Sequence, residues 1–242
     1  MGWCELHYLL HAKWQEVKNL FHFGKYTMST ALGTNLLKSS DVYVINEMLG
    51  PVAVAVYGMT YRIMELIEIP IRSLVATVLP KMAAANAKKN DNEVRELLYQ
   101  NGGATSYLLI PVLMVIFIFA DYIPVIIYGE DYADLGLLLR VFCLFGVLIP
   151  IDRFMGIALD SIGFPKYNSQ KVIWMVVVNV VLDIAILYFF PFVEAAAAVT
   201  FITSSVGVIL GKRYLAPYLP IEFRLFVSKG WEFIQQQKAQ LK

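Results

Sequence analysis

Long apolar stretches recur along the chain, with short polar connections between them. Each stretch matches a bilayer crossing, since a hydrocarbon core of about 30 Å needs roughly 20 helical residues. The pattern predicts six membrane-spanning helices, over residues 26–49, 52–80, 102–128, 135–161, 172–192 and 195–215. We therefore predict an all-α fold, an integral membrane bundle of six transmembrane helices.

The segments that flank this bundle have a different character. Over residues 3–23, apolar side chains recur at helical spacing among polar ones, which is typical of an amphipathic helix in the membrane interface. From Pro217 onward, aromatic and basic residues mix. We predict three parts: an interfacial lead-in over residues 1–24, a transmembrane lobe over 25–218 and an interfacial, cytoplasmic tail over 219–242.

The second predicted span carries four charges where they are costly. Arg62, Glu65 and Arg72 fall along one side of a 3.6-residue helix, with Glu68 beside them. Ionisable groups within a span face a water-filled cavity or one another. We therefore predict that this helix lines an aqueous, charged path. The alternative is a salt-bridged cluster that only orients the helix.

The first and fifth predicted spans also carry polar groups. Asn35, Lys38 and Asp41 recur three residues apart in the first, where Lys38 and Asp41 are spaced to pair. Asn179 and Asp183 interrupt the fifth, which is otherwise apolar. An acid in such a span suits coupling to a cation or a proton, and an interhelical hydrogen bond is the alternative.

The composition supports a membrane protein and argues against several other classes. The 242 residues are 58% hydrophobic and 16% charged, with a mean hydropathy of +0.60, whereas soluble domains are about 45–50% apolar and about 25% charged. The net charge of +1 comes without a basic, aromatic-rich block, so we expect no nucleic acid partner. No phosphate-binding loop, GxSxG or HExxH motif occurs. We expect no enzyme activity, no cofactor and no metal site.

Basic residues in the predicted loops sort to one side of the membrane. Connections 81–101 and 162–171 and both terminal regions carry lysines and arginines. The opposite loops carry none, and hold only acids, which are Glu130, Asp131, Asp134 and Glu194. Because cytoplasmic loops carry an excess of Lys and Arg, both termini are predicted to be cytoplasmic.

The first two spans carry a recognisable set of features. These are an acid in a polar helix, a Leu-Gly turn, a Tyr-x₄-Arg helix and a distal Leu-Pro, which here are Asp41, Leu49-Gly50, Tyr57 with Arg62, and Leu79-Pro80. They resemble the polysaccharide flippases, the O-antigen transporter type of the multidrug/oligosaccharidyl-lipid/polysaccharide exporter superfamily. The resemblance covers about residues 20–218.

This resemblance implies a function and a larger assembly. The function is to flip an undecaprenyl-diphosphate-linked oligosaccharide across the bacterial cytoplasmic membrane by alternating access. Proteins of that family have two six-helix lobes around a central cavity, and this chain is similar to the second, C-terminal lobe alone. We expect either a fragment that lacks its N-terminal lobe or a chain that associates with a second copy.

The resemblance also implies roles for the polar residues. Arg62 and Arg72 would contact the diphosphate, because a guanidinium group donates paired hydrogen bonds to phosphate oxygens. Lys38 and Asp41 would contact phosphate or sugar. Glu65 and Asn35 complete the predicted substrate path, and Asp183 with Asn179 would couple transport to an ion gradient.

Three other functions stay open on the sequence. A drug or cation exporter of the same superfamily should favour an acidic or aromatic cavity over this mixture of bases and acids. A membrane-embedded enzyme acting on lipid-linked sugars should show a large outward loop or a catalytic His/Asp pair, and neither is evident. A scaffold lobe, inactive without its partner lobe, would use the same charges for structure alone.

Overall fold

The computed structural model of the chain describes residues 14–132 and 134–240, which form helices and turns without a strand. The α-helices of these two ranges are α1 (Trp14–Leu49), α2 (Pro51–Ala87), α3 (Asp91–Ile118), α4 (Tyr122–Tyr128), α5 (Leu135–Gly146), α6 (Ile149–Ser161), α7 (Pro165–Phe189), α8 (Val193–Leu215) and α9 (Phe223–Gln240). A 3₁₀ turn, Glu130–Tyr132, lies between α4 and α5. The all-α prediction is confirmed.

Within the described ranges, four helical segments are long and apolar enough to cross a membrane: Asp91–Ile118, Leu135–Ser161, Pro165–Phe189 and Val193–Leu215. The predicted count of six spans is not confirmed. Helices α1 and α2 are 36 and 37 residues long, but their polar side chains keep them out of this set. That polar character is also what they contribute to the cavity described below.

Helices α1 and α2 meet at a sharp turn and extend well past membrane length. Gly50 has a φ of 87°, in the left-handed region that glycine adopts without strain, and Pro51 opens α2 at a position where its missing N–H costs nothing. Of the lead-in predicted over residues 1–24, residues 1–13 lie outside the part of the chain that the structure describes. From Trp14 onward it continues into α1 without a break.

The hydrophilic connection predicted over 81–101 is largely helical instead. Helix α2 continues to Ala87 and α3 begins at Asp91, because this stretch is rich in alanine, lysine, glutamate and arginine, which are strong helix formers. The Asn90 side chain accepts a hydrogen bond from the Glu93 N–H at 3.2 Å and so caps α3. Only residues 88–90 form the turn.

Two of the predicted spans are interrupted. The third divides into α3 and the short α4, and the fourth divides into α5 and α6 at Val147–Leu148. Pro150 lies at the start of α6 and cannot donate a hydrogen bond back to the end of α5. This break turns the first residues of α6 towards the centre of the bundle, where Asp152 and Arg153 line the cavity.

The outer surface of the bundle is apolar. Helices α3, α7 and α8 expose large side chains there, among them Leu108, Met114, Ile118, Val181, Ile184 and Ile209. An apolar surface of this extent requires lipid or protein contact rather than water. The chain is therefore a multi-pass membrane protein.

The tail predicted over 219–242 forms α9 and packs on α3. Backbones touch where two glycines face each other: a Cβ added to Gly230 would lie 2.5 Å from the carbonyl carbon of Gly103. Small residues permit such close helix packing in membranes. Trp231 also packs on the Tyr107 ring, with centroids 5.7 Å apart, so α9 is a docked part of the fold.

Candidate functional site

A cavity of about 250 Å³, lined by charged as well as apolar side chains, lies between α1, α2, α6, α7 and α8, and a groove of about 410 Å³ adjoins it beside α2. The two share Lys38, Glu68 and Arg153, so they form one continuous space. The charged side chains around it are Lys38, Asp41, Glu65, Glu68, Arg72, Asp152, Arg153, Asp160 and Lys171. They separate into three groups.

The first group, here called the Glu68 cluster, consists of Lys38, Glu68, Arg72 and Arg153. Oε2 of Glu68 lies 2.9 Å from Nη2 of Arg72, 3.6 Å from Nζ of Lys38 and 3.7 Å from Nη2 of Arg153. One buried carboxylate thus holds three cations from three helices. Glu65 lies 3.4 Å from Arg72 at the edge, which still leaves an excess of one positive charge.

The fold explains how these four side chains meet. Glu68 and Arg72 are four residues apart on α2 and therefore share a face. Lys38 reaches them from α1. Arg153 is the fifth residue of α6, whose start is free to point inward because the chain breaks between α5 and α6.

The second group, here called the Asp41–Asp183 cluster, consists of Asp41, Asn179, Asp183 and Thr200, with Tyr57 bound to it. Tyr57 Oη donates to Oδ2 of Asp41 at 2.6 Å, and Thr200 Oγ1 lies 3.5 Å from the same oxygen. The carboxyl groups of Asp41 and Asp183 lie near enough to interact. Both are almost fully buried, with Asp183 0% exposed.

Three carboxyl oxygens of this cluster lack a hydrogen-bond partner among the described residues. They are Oδ1 of Asp41 and both oxygens of Asp183. Buried ionised groups are costly unless a cation or a proton compensates them. The cluster therefore has the chemistry of a site for a small cation or a shared proton.

The third group, here called the inner arm, consists of Asp152 and Asp160 on α6, Asn168 and Lys171 on α7, and Thr30 and Thr34 on α1. Lys171 is 2% exposed, and its Nζ lies 2.7 Å from Oδ1 of Asp152. Asn168 Nδ2 donates to Oδ2 of Asp160 at 2.9 Å, while the buried Oδ1 of Asp160 has no partner within the part of the chain described.

The structure brings most of the predicted substrate residues to this cavity. Lys38, Glu65 and Arg72 lie in or beside the Glu68 cluster, and Asn35 lines the groove. Lys38 and Asp41, spaced to pair with each other, take different partners, Glu68 and Tyr57. Asn179 and Asp183 join Asp41, so the acid of the fifth span has a second acid beside it.

Arg62 was predicted to bind the substrate, but the structure places it outside the cavity. Arg62 is exposed. It is not among the described residues that line the cavity or the groove. Its position on α2 explains this, since ten residues leave it about 80° around the helix from Arg72 at 3.6 residues per turn.

The sequence alone does not indicate a site role for several residues at or beside the cavity. In the sequence, Asp152 and Asp160 are spaced to share a helix face, but Lys171 lies in a polar connection. Neither Arg153 nor Tyr57, which binds Asp41 beside the cavity, shows a partner within its own helix. A usable signal for Lys171 was its spacing, because Lys171, Met175, Asn179 and Asp183 follow one another every four residues.

An all-helical membrane bundle around a charged cavity is built like one lobe of a membrane transporter. Solved structures share this fold. A multidrug resistance MATE family transporter of the MOP superfamily, in an outward-facing conformation, matches with a TM-score of 0.66 and 17% identity over 86% of this chain and 48% of its own. A MOP superfamily transporter from Pyrococcus furiosus matches with a TM-score of 0.64 and 16% identity over 93% and 54%.

The family profile described as polysaccharide biosynthesis protein matches residues 1–136, and the chain belongs to this family. Its sequence is 22% identical over 217 residues to a probable low-salt glycan biosynthesis flippase, Agl15, of Haloferax volcanii, covering 90% of this chain and 46% of the relative. It is 24% identical over 132 residues to the teichuronic acid biosynthesis protein TuaB of Bacillus subtilis, covering 54% and 27%.

These comparisons confirm the resemblance to polysaccharide flippases of the MOP superfamily. They also show a difference in length. The chain spans about half or less of the curated relatives that it matches.

Proposed function

We propose that this chain is one lobe of a transporter that flips an undecaprenyl-diphosphate-linked oligosaccharide across the bacterial cytoplasmic membrane by alternating access. The observation that carries the proposal is the Glu68 cluster. Three cations from three helices converge on one carboxylate at the side of a cavity. A diphosphate offers the same cations more negative charge and more acceptor oxygens than Glu68 does.

In this mechanism the Glu68 carboxylate pairs with the cations that later bind the diphosphate of the substrate. Before binding, it keeps Lys38, Arg72 and Arg153 together and lowers the cost of three like charges at membrane depth. The Arg72 side chain is 50% exposed, so it can turn to an arriving phosphate without leaving the cluster. Arg72 and Arg153 would donate paired hydrogen bonds to phosphate oxygens, and Lys38 would act as a point charge.

The Asp41–Asp183 cluster is proposed to bind the coupling ion, a monovalent cation or a proton. Its ligands are carboxyl, amide and hydroxyl oxygens, which hard cations prefer. Lys38 and Asp41 lie one turn apart on α1, so α1 contributes to both clusters. An ion that draws Asp41 towards Asp183 would move Lys38 relative to Glu68. Ion occupancy would thereby alter the affinity of the Glu68 cluster for the diphosphate.

The remaining assignments concern the assembly and its orientation. A path between two lobes needs both of them, so we propose that this chain works with an N-terminal lobe or with a second copy. The relatives' greater length supports this. The turn with Lys88 and Lys89 and the ends of α8 and α9 would face the cytoplasm, as the positive-inside rule predicts.

The test is lipid translocation by the reconstituted chain. Liposomes would carry undecaprenyl-diphosphate-linked N-acetylglucosamine, and a galactosyltransferase that cannot cross the membrane would label the sugar in the outer leaflet. We expect the chain alone to render lipid from the inner leaflet available for labelling if a second copy completes the path, and to do so only together with its N-terminal lobe otherwise. Replacing both Arg72 and Arg153 with Gln should slow this at least tenfold.

The matched control is Arg140→Gln. Arg140 pairs with Asp121 away from the cavity, so this variant also loses an ion-paired arginine but should keep the normal rate. If the unmodified chain neither moves the lipid nor binds pyrophosphate, the proposed function is wrong. If the double variant and the control behave alike, the Glu68 cluster is not the diphosphate site.

A further inference from the structure

The inner arm is the part of the cavity to which the proposed transport cycle assigns no role. Its charges are nearly balanced, because the Lys171 ammonium is neutralised by Asp152 at 2.7 Å. Asp160 supplies one additional carboxylate, and only one of its oxygens is bound, by Asn168 at 2.9 Å. The other oxygen is buried and has no partner in the described ranges. A built polar site of this kind calls for a ligand.

The donors and acceptors of the arm identify the class of that ligand. Oδ1 of Asp160 needs a donor. The hydroxyls of Thr30 and Thr34 already donate to the carbonyls of Tyr26 and Thr30, at 3.0 and 2.9 Å, so their oxygens are left to accept. A ligand that fits must therefore present several hydroxyl hydrogens.

Charge and the available ligand atoms exclude the two other ligand classes. A cation would find a single free carboxylate oxygen, since Asp152 is paired with Lys171 and the other oxygen of Asp160 accepts from Asn168, and no group of three or more metal-binding side chains occurs among the described residues. An anion would meet Asp160. A neutral ring with several hydroxyl groups satisfies both conditions, since it donates to the carboxylate and accepts elsewhere without bringing a charge.

The position of the arm connects it to the Glu68 cluster. Arg153 points to Glu68, and the adjacent residue Asp152 points to Lys171. A sugar attached to a diphosphate at the Glu68 cluster would thus enter the arm directly. The arm is only part of a cavity of about 250 Å³, which is itself just below the roughly 300–1,000 Å³ of small-molecule pockets, so the arm has room for one sugar ring at most.

We propose that the inner arm binds one neutral sugar ring of the glycan and rejects a uronic acid at the same position. This rests on the proposed flippase function and adds the chemical class of the sugar. A uronate carries a carboxylate on the ring. Placed beside Asp160 in a partly enclosed cavity, that carboxylate would be repelled.

The experiment compares sugar pairs that differ only in this carboxylate. The full chain in lipid nanodiscs would be studied by saturation-transfer NMR with methyl β-glucopyranoside against methyl β-glucuronide, and with the corresponding galactose pair. We expect at least one neutral glycoside to bind saturably, and its uronate to bind at least tenfold more weakly. In Asp160→Asn, which has nearly the same shape without the charge, the difference should fall to about threefold or less.

Two further variants separate the effect of the Asp160 charge from other effects of substitution. Asp121→Asn removes a carboxylate far from the arm and should leave the selectivity unchanged. Thr34→Val removes an acceptor without changing charge, and should weaken the neutral glycoside severalfold while the uronate stays excluded. The inference is overturned if no neutral glycoside binds, if a uronate binds as tightly as its neutral partner, or if Asp160→Asn leaves the selectivity intact.

Inorganic pyrophosphate, titrated into the same nanodiscs, tests the Glu68 cluster separately. Sugar selectivity without pyrophosphate binding would count against the proposed flippase function and leave the class of sugar bound by the arm intact. Pyrophosphate binding without sugar selectivity would count against the inner arm alone.

Discussion

Tyr57 donates a 2.6 Å hydrogen bond to Oδ2 of Asp41, and this bond ties α2 to the Asp41–Asp183 cluster. Tyr57 is buried, and its ring packs against Phe142 with centroids 5.2 Å apart. Because Oδ2 is held, Oδ1 of Asp41 is the oxygen left for an ion. The helix that carries Glu68 is thus attached directly to the carboxylate proposed to bind the coupling ion.

Replacing Tyr57 with Phe should weaken ion binding while the fold persists. The ring would still pack on Phe142, but the carboxylate would lose its donor, and a hydrogen bond to a charged group is worth about 1.5–3 kcal/mol. We expect the sodium concentration that gives half-maximal thermal stabilisation to rise about tenfold. The measurement is thermal unfolding in sodium chloride against choline chloride at constant ionic strength.

The control for this variant is Tyr61→Phe. Tyr61 stacks beside Tyr57 with centroids 6.4 Å apart, so the change removes a neighbouring hydroxyl and leaves the bond to Asp41 in place. An unchanged sodium midpoint in Tyr57→Phe would show that the bond does not position Asp41 for the ion.

Replacing Asp183 with Asn should have opposite effects with and without sodium. In sodium-free buffer at a pH high enough to ionise both carboxyl groups, the two groups repel each other, so the amide should raise the unfolding temperature. The same change removes a ligand, and we expect the further stabilisation by sodium to disappear. Asp121→Asn serves as the comparison, since Asp121 lies outside the cavity. Sodium stabilisation that survives in Asp183→Asn would contradict the proposed ion site.

The sequence predicts the helices better than it predicts their ends. Apolar runs identify α8 to within two residues, because lipid imposes both length and composition, whereas α7 begins at Pro165, seven residues before the predicted span. The connection 81–101 was predicted as a hydrophilic loop, yet it continues α2 and begins α3. Polarity shows where a helix leaves the membrane, whereas alanine and lysine propensity determines that it continues as a helix.

The site shows a different limit. Spacing along one helix correctly groups Glu65 with Arg72, but it also suggests a pair between Lys38 and Asp41 that does not form. Each finds a partner on α2 instead, at Glu68 and at Tyr57. Such partners are determined by how helices pack, and no periodicity within a single helix contains that information. Arg153 and Lys171 were missed for the same reason.

Arg153 and Arg62 offer a direct comparison between the cavity and the sequence motif. Arg153→Gln should lower pyrophosphate affinity about tenfold, because it removes a charged donor from the Glu68 cluster. Arg62→Gln should change it less than twofold, since Arg62 is exposed and lies outside both the cavity and the groove. Isothermal titration at low and high salt measures both. If Arg62→Gln lost more pyrophosphate affinity than Arg153→Gln, the sequence motif rather than the cavity would identify the diphosphate site.

Docking of α9 on α3 depends on Gly230, and a single methyl group should disrupt it. The Cβ of an alanine at this position would meet the backbone of Gly103, which cannot turn aside as a side chain can. Overpacking of this kind costs about 1–3 kcal/mol. We expect Gly230→Ala to lower the unfolding temperature and to expose residues 219–240 to protease.

Gly58→Ala is the matched control, because a Cβ there has nothing within 4 Å. It should leave the protease pattern unchanged and raise stability, since alanine is favoured over glycine inside a helix by about 1 kcal/mol. If both variants showed the same protease pattern, α9 would be held by its aromatic contacts, such as Trp231 on Tyr107, rather than by the contact between the two glycines.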